Sequence, residues 1–220
     1  MKESGEALGN VTRQANKKLR RERIFNIAKR LIAAKGLEEF TISELADEAG
    51  VTTPTIHNLF GKKSDIIREL VSNLIELMKI ATVNPPIEPI ENAKFIIDNL
   101  VASIEQDKDF FRAALMAMDH LRLFDPRIPN GLFQRARQVA APRKEWYETG
   151  LFLGNIEPHT IMKEVHNTNR LARIDWVNGY IDLNQFRHQV LKGVLLAYAS
   201  DASPELYVRL IEEINGLSKL

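Results

Sequence analysis

Residues 41–63 read TISELADEAGVTTPTIHNLFGKK, and this stretch decides the fold. Thr41-Ile42-Ser43-Glu44 has the form of a capping box, in which a threonine hydroxyl takes an amide three residues on and the glutamate reaches back. Ile42, Leu45, Ala46 and Ala49 then repeat with helical period and predict a helix of about two turns. Gly50 stops it, because a sharp turn here asks for a backbone that a β-carbon resists. A second short helix is predicted from Thr52 or Thr53, with Pro54 suited to its first turn and Ile56, Leu59 and Phe60 as its buried stripe. Gly61 ends it. Ala46 is small enough for two helices to cross closely, and Val51 and Ile56 fill the wedge between them. Two short helices joined by a tight glycine turn make a helix-turn-helix.

Upstream, Ile24, Ile27, Ala28, Leu31 and Ile32 follow the i, i+3, i+4, i+7, i+8 template, and Gly36 closes that helix. Downstream, Ser64 or Asp65 caps a longer helix carrying Ile67, Leu70, Val71, Leu74 and Met78. A break follows at 82–86, TVNPP. Helical periods then recur at 93–104 and at 110–118, the latter ending near Asp125-Pro126. Residues 127–158 hold Pro129, Gly131, Pro142, Gly150, Gly154 and Pro158, so helices there are expected to be short or kinked. Helices are expected over about 159–178, ended by Gly179, over 183–199 behind an Asp182–Gln185 cap, and from Ser203-Pro204 onward. No alternating strand of useful length occurs. The expected fold class is all-α.

The 220 residues carry 30 basic and 29 acidic side chains, a formal net charge of +1. The distribution is uneven. Arg13, Lys17, Lys18, Arg20, Arg21, Arg23, Lys29, Arg30 and Lys35 stand in residues 11–35 against Glu22 alone. A basic head beside a helix-turn-helix points to an anionic partner, and the run 17–23 reads as an electrostatic anchor for phosphates. The exposed face of the second short helix is short, polar and uncharged: Thr52, Thr53, Thr55, His57 and Asn58. Hydroxyl, imidazole and amide groups hydrogen-bond base edges and phosphates, whereas a helix that meets only water usually carries lysine and glutamate.

The chain has no cysteine. Disulfides, thiolate zinc sites, iron–sulfur clusters and cysteine nucleophiles are therefore excluded. No apolar run approaches the roughly 20 residues of a membrane span, and the polar start MKESGEALGN lacks a signal-peptide core. The expectation is a cytoplasmic protein. No nucleophile elbow, glycine-rich phosphate loop or carboxylate pair occurs, so neither an enzyme nor a cofactor is expected. The competing reading is an all-α enzyme or metal protein, for which His159, Glu164 and His166 are the best ligands. The i, i+7 histidines lack the i, i+4 spacing of a helical metal site.

From about Arg21 to Leu77 the chain resembles the N-terminal domain of the TetR family of bacterial transcriptional regulators. The likeness lies in Ile24…Ala28…Leu31…Gly36, Thr41-Ile-Ser-Glu-Leu-Ala…Ala49-Gly50-Val51, Thr55-Ile56…Phe60…Lys63 and Asp65-Ile66-Ile67. The resemblance implies a basic N-terminal arm at 1–20, a helix-turn-helix DNA-binding domain at 21–63, and a larger helical ligand-binding and dimerisation domain at 64–220. It implies a homodimer on a near-palindromic double-stranded DNA operator, acting as a repressor released by a small, partly hydrophobic effector. Thr41 would contact phosphate, Thr52, Thr53, Thr55, His57 and Asn58 would face the major groove, and Lys63 would grip phosphate. His57 and Leu59 depart from the family, which often has tyrosine there. Asn58 is the candidate for adenine readout. Helices 159–178 and 183–199 would build the dimer's four-helix bundle through Leu191, Val194, Leu195 and Tyr198. Met78, Phe111, Met118, His120, Trp146, Phe152, His166, Asn169 and Trp176 are the candidates for the effector pocket.

Overall fold

The computed structural model describes residues 3–81, 83–121 and 142–217, with side chains from residue 13 onward except those of 79–81. The described residues form ten helices: α1 Glu3–Glu39, α2 Ile42–Ala49, α3 Thr53–Phe60, α4 Lys63–Ala81, α5 Pro89–Gln106, α6 Lys108–His120, α7 Lys144–Glu148, α8 Pro158–Val177, α9 Leu183–Ala199 and α10 Pro204–Leu217. The expected end of α6 near Asp125-Pro126, and Pro129 and Gly131, lie outside the described residues.

The chain divides into two compact units. One holds α1 to α3, α4 through Leu74, and α6; the other holds α4 from Ile75, α5 and α7 to α10. In the first, α1 packs on α2 and α6. Ile24, Ala28, Ile32, Phe40, Leu45, Ile56, Ile66 and Leu70 are fully buried there. Each of the isoleucine and leucine side chains contributes roughly 1.5–3 kcal/mol by leaving water. Helix α6 adds Phe110, Phe111, Ala113, Ala114, Ala117 and Met118. Asp107 caps it, accepting from the Phe110 amide at 3.0 Å, and its other oxygen takes the Lys29 ammonium.

Residues 3–20 are helical, continuous with α1, where an arm was expected. The sequence from Arg13 to Lys35 contains neither glycine nor proline, so nothing local interrupts the helix before Gly36. At Gly36 the backbone leaves helical geometry. The capping box at Thr41 is half formed. The Thr41 hydroxyl accepts from the Glu44 amide at 3.2 Å, but the Glu44 carboxylate pairs with Lys35 instead of returning to the cap. An ammonium on the neighbouring helix outcompetes a backbone amide for the carboxylate. The Asp182–Gln185 capping box is complete, with bonds of 2.8 and 2.9 Å.

In the second unit α9 packs against α8, α10 and α5. The α8–α9 contact is close at Gly193: a β-carbon there would stand 2.0 Å from Thr168 Cγ2 and 2.7 Å from its Cβ. Rotating the threonine moves Cγ2 but not Cβ, so an added methyl forces the helices apart. Gly193→Ala is expected to cost about 1–3 kcal/mol by overpacking. Urea denaturation measures this, and an unchanged midpoint would refute the close approach. Trp146, Phe152 and Tyr198 form an aromatic cluster, with ring centroids 5.4–5.6 Å apart. Burial pushes the Tyr198 hydroxyl up and keeps it protonated. Among the described residues no helix is long and apolar enough to cross a membrane.

Candidate nucleic-acid interface

The helix-turn-helix is built by local chemistry. Gly50 has φ +61° at the turn, and its amide closes α2 on Ala46 and Asp47. Thr52 is extended ahead of α3 and Pro54 sits in its first turn. Gly61 has φ +85°, and a β-carbon there would meet Asp65 Oδ2 at 2.5 Å. That carboxylate must stay, because it accepts the Lys62 amide at 2.8 Å as α4 begins.

Helix α3 buries Ile56 and Phe60 and turns the opposite side outward. His57 and Asn58 are exposed, Thr55 is half-buried, and Thr53 is half-buried. At 100° per residue Thr53 falls beside the Phe60 side of the helix, apart from Asn58. The Thr52 and Thr55 hydroxyls are 3.0 Å apart, so Thr52 bonds its neighbour rather than capping the helix. His57 Nδ1 lies 2.8 Å from the Gly61 carbonyl oxygen. A carbonyl only accepts, so Nδ1 donates, and the neutral ring presents Nε2 outward as an acceptor. Donating to a phosphate, as a tyrosine in its place would, requires the doubly protonated ring. Thr41 is exposed, but its hydroxyl already caps α2 and the recess around it holds Glu44, Asp47 and Glu48. Lys63 opens α4 with its ammonium 5.8 Å from the centroid of Phe40.

The basic run is partly spent inside this unit. Both Arg21 terminal nitrogens donate to Glu69 at 2.6 Å, Nε donates to the Leu59 carbonyl at 3.3 Å, and the guanidinium lies 4.5 Å over Phe60. Arg23 donates to the Ala49 carbonyl at 2.8 Å. Lys29 and Lys35 pair with Asp107 and Glu44. In the sequence all of these belong to one basic head, and the run 17–23 reads as a phosphate anchor. No local signal separates them, since their partners lie up to 78 residues away.

The pocket candidates fall in both units. Phe111 and Met118 are buried on α6, and His120 is exposed there, 3.4 Å from Glu38. Met78, on α4, is half-buried. Trp146 and Phe152 belong to the aromatic cluster. On α8, His166 and Asn169 are half-buried, and Trp176 is buried 6.2 Å from Phe186. Beside the cluster the Tyr147 hydroxyl has no hydrogen-bond partner among the described residues. Burial pushes it up, with the negative charges of Asp201 and Glu157 adding to the effect. Leu191, Val194, Leu195 and Tyr198 are buried within a single chain. Packing of α9 on three neighbours consumes them, and the large apolar side chains left exposed on α8, α9 and α10 are Leu171, Leu196, Tyr207 and Val208. His159 is exposed with Glu157 at 3.9 Å, and among the described residues no three histidine or acidic groups gather as a metal site.

Residues 24–70 match the family described as bacterial regulatory proteins, tetR family. That segment is a TetR-family domain. The match covers α2, α3, the end of α1 and the start of α4. Solved TetR-family structures are similar in fold over about nine-tenths of the chain. A TetR-family transcriptional regulator from Marinobacter aquaeolei VT8 is 17% identical with a TM-score of 0.62, covering 90% of this chain and 98% of its own. CprB, a TetR-family protein from S. coelicolor A3(2), is 16% identical with a TM-score of 0.62, covering 91% and 97%. A gamma-butyrolactone receptor described as ArpA-like is 14% identical with a TM-score of 0.66, covering 93% and 97%. No curated protein gives a significant match.

Proposed function

We propose that the chain is a ligand-responsive, sequence-specific transcriptional regulator: a homodimeric repressor of a near-palindromic operator, released by a small, partly hydrophobic molecule. The observation that carries this reading is the outward face of α3, uncharged and hydrogen-bonding at His57, Asn58 and Thr55, on a helix held at both ends. One such helix reads too few bases for useful specificity, so two copies reading two half-sites are required. The division of labour is a reading head at 21–63 and ligand binding with dimerisation in 64–220. Helices α8 and α9 remain the proposed bundle. Leu171 and Leu196 supply its apolar contacts, while Leu191, Val194, Leu195 and Tyr198 support it from the core. The gamma-butyrolactone receptors among the similar structures make lactones the first effector class to screen. Effector binding shifts the population between two arrangements of the heads, and operator affinity falls by the ligand's differential affinity for them.

Selection of bound fragments from a random DNA pool tests the reading. A palindrome with half-sites about one helical turn apart is expected, and recovery of unrelated sequences overturns it. On the selected DNA, Asn58→Ala is expected to relax preference at one base pair of each half-site by about 1–3 kcal/mol. Uniform weakening on all sequences would instead assign Asn58 to the backbone.

A further inference from the structure

Helix α1 extends well beyond the head it helps to build. Within the head its buried stripe is Ile24, Ile27, Ala28 and Ile32. At 100° per residue the same face continues upstream through Arg13, Lys17 and Arg20. The stripe thus changes from apolar to cationic without changing side. Every side chain from Arg13 to Arg20 is exposed, and among the described residues these three cations have no acidic partner. Lys18 points elsewhere and lies 3.9 Å from Glu22. The extension leaves the head beside both helices of the helix-turn-helix, since Arg23 reaches the end of α2 at Ala49 and Arg21 the end of α3 at Leu59.

From this placement we propose that the extension is a helical rail for DNA phosphates. Arg13, Lys17 and Arg20 bind the sugar–phosphate backbone flanking the bases that α3 reads, a role that rests on the DNA-binding reading above. The three cations span about 10.5 Å of helix axis. One strand of duplex carries a phosphate every 3.4 Å or so along its axis, which gives about three phosphates for three cations. A helix holds its charges at fixed spacing and has already lost the entropy that a coil gives up on contact. A lipid surface fits poorly, because a surface-lying helix needs an apolar face and residues 13–20 offer only Ala15 and Leu19.

The test uses the full chain and the selected DNA, with affinity measured against salt. Replacing Arg13, Lys17 and Arg20 together by Ala is expected to reduce the slope of log K on log salt by about 2.7 per head, on selected and unrelated DNA alike. Lys18→Ala is expected to leave the slope unchanged. Ala15→Pro keeps every charge but detaches Arg13 from the helix, because proline is accepted only in a helix's first turn, and it is expected to lose about a third of the same slope. An unaltered slope in the triple variant overturns the rail. So does an unaltered slope in Ala15→Pro, or an equal loss in Lys18→Ala, since a loose arm is indifferent to face and helicity. Wild-type protein that selects a palindrome but shows any of these results fails the rail alone. Wild-type protein that binds no DNA fails both readings.

Discussion

Arg21→Ala is expected to lower the stability of the reading head by about 2–3 kcal/mol and to weaken operator binding. The guanidinium makes a bidentate pair with Glu69 at 2.6 Å, bonds the Leu59 carbonyl and covers the Phe60 ring. It therefore joins the end of α3 to α4 through a residue of α1. Fork-to-carboxylate pairs are among the stronger charge-assisted bonds. Solvent screens part of the attraction, because the Arg21 side chain is 39% exposed and Glu69 24%. Truncation also leaves Glu69 without its partner and a helix-end carbonyl unbonded. A melting temperature lower by roughly 4–12 °C is expected for a chain of this size. Arg21→Lys keeps the charge but not the fork, so most of the loss should remain. Thermal melting and fluorescence anisotropy on the selected DNA decide the matter. A lysine variant equal to wild type would reduce the contact to a simple point charge.

Asp201→Ala should cost the second unit about 3 kcal/mol. The carboxylate is 1% exposed and accepts three consecutive amides, Gly154 at 2.9 Å, Asn155 at 2.8 Å and Ile156 at 3.2 Å. Two backbone bonds flank it, Leu153 amide to Asp201 carbonyl and Ser203 amide to Leu151 carbonyl, at 2.9 and 2.8 Å. Together they hold residues 151–156 against the chain between α9 and α10. Hydrogen bonds to a charged group contribute about 1.5–3 kcal/mol each, and bonds to one shared carboxylate do not add in full. Asp201→Asn is expected to fare little better, because its amide nitrogen would face a donor. Phe152 lies in the affected segment and stacks on Trp146, so tryptophan fluorescence should shift along with the denaturation midpoint. A variant that melts with wild type and keeps its emission spectrum would show the clamp to be dispensable.

The helix-turn-helix was legible because its signals act within four residues. A threonine cap, a left-handed glycine, an early proline and a helical stripe are read one after another along the chain. The exposed face of α3 was legible for the same reason, although the orientation of His57 was not. A carbonyl at Gly61 turns its donor inward, and that carbonyl is aimed by a turn whose geometry the residue names do not give. Glu44 is a second instance: the capping-box pattern predicted its return to the cap, and Lys35, brought alongside by packing, takes it instead. The sequence assigned the apolar stripe of α9 to the dimer interface, whereas in the single chain Leu191, Val194, Leu195 and Tyr198 are buried on a helix that packs against three neighbours.

The sequence by itself determined an all-helical chain, the position of its reading unit, and a concentration of positive charge beside it, because helical period, capping and composition are local quantities. Only the tertiary structure decided which of those charges are spent. Arg21, Arg23, Lys29 and Lys35 are held by partners 9 to 78 residues away, while Arg13, Lys17 and Arg20 stay outward on one face. A cation's partner is set by distance in space, and that distance exists only once the helices have packed.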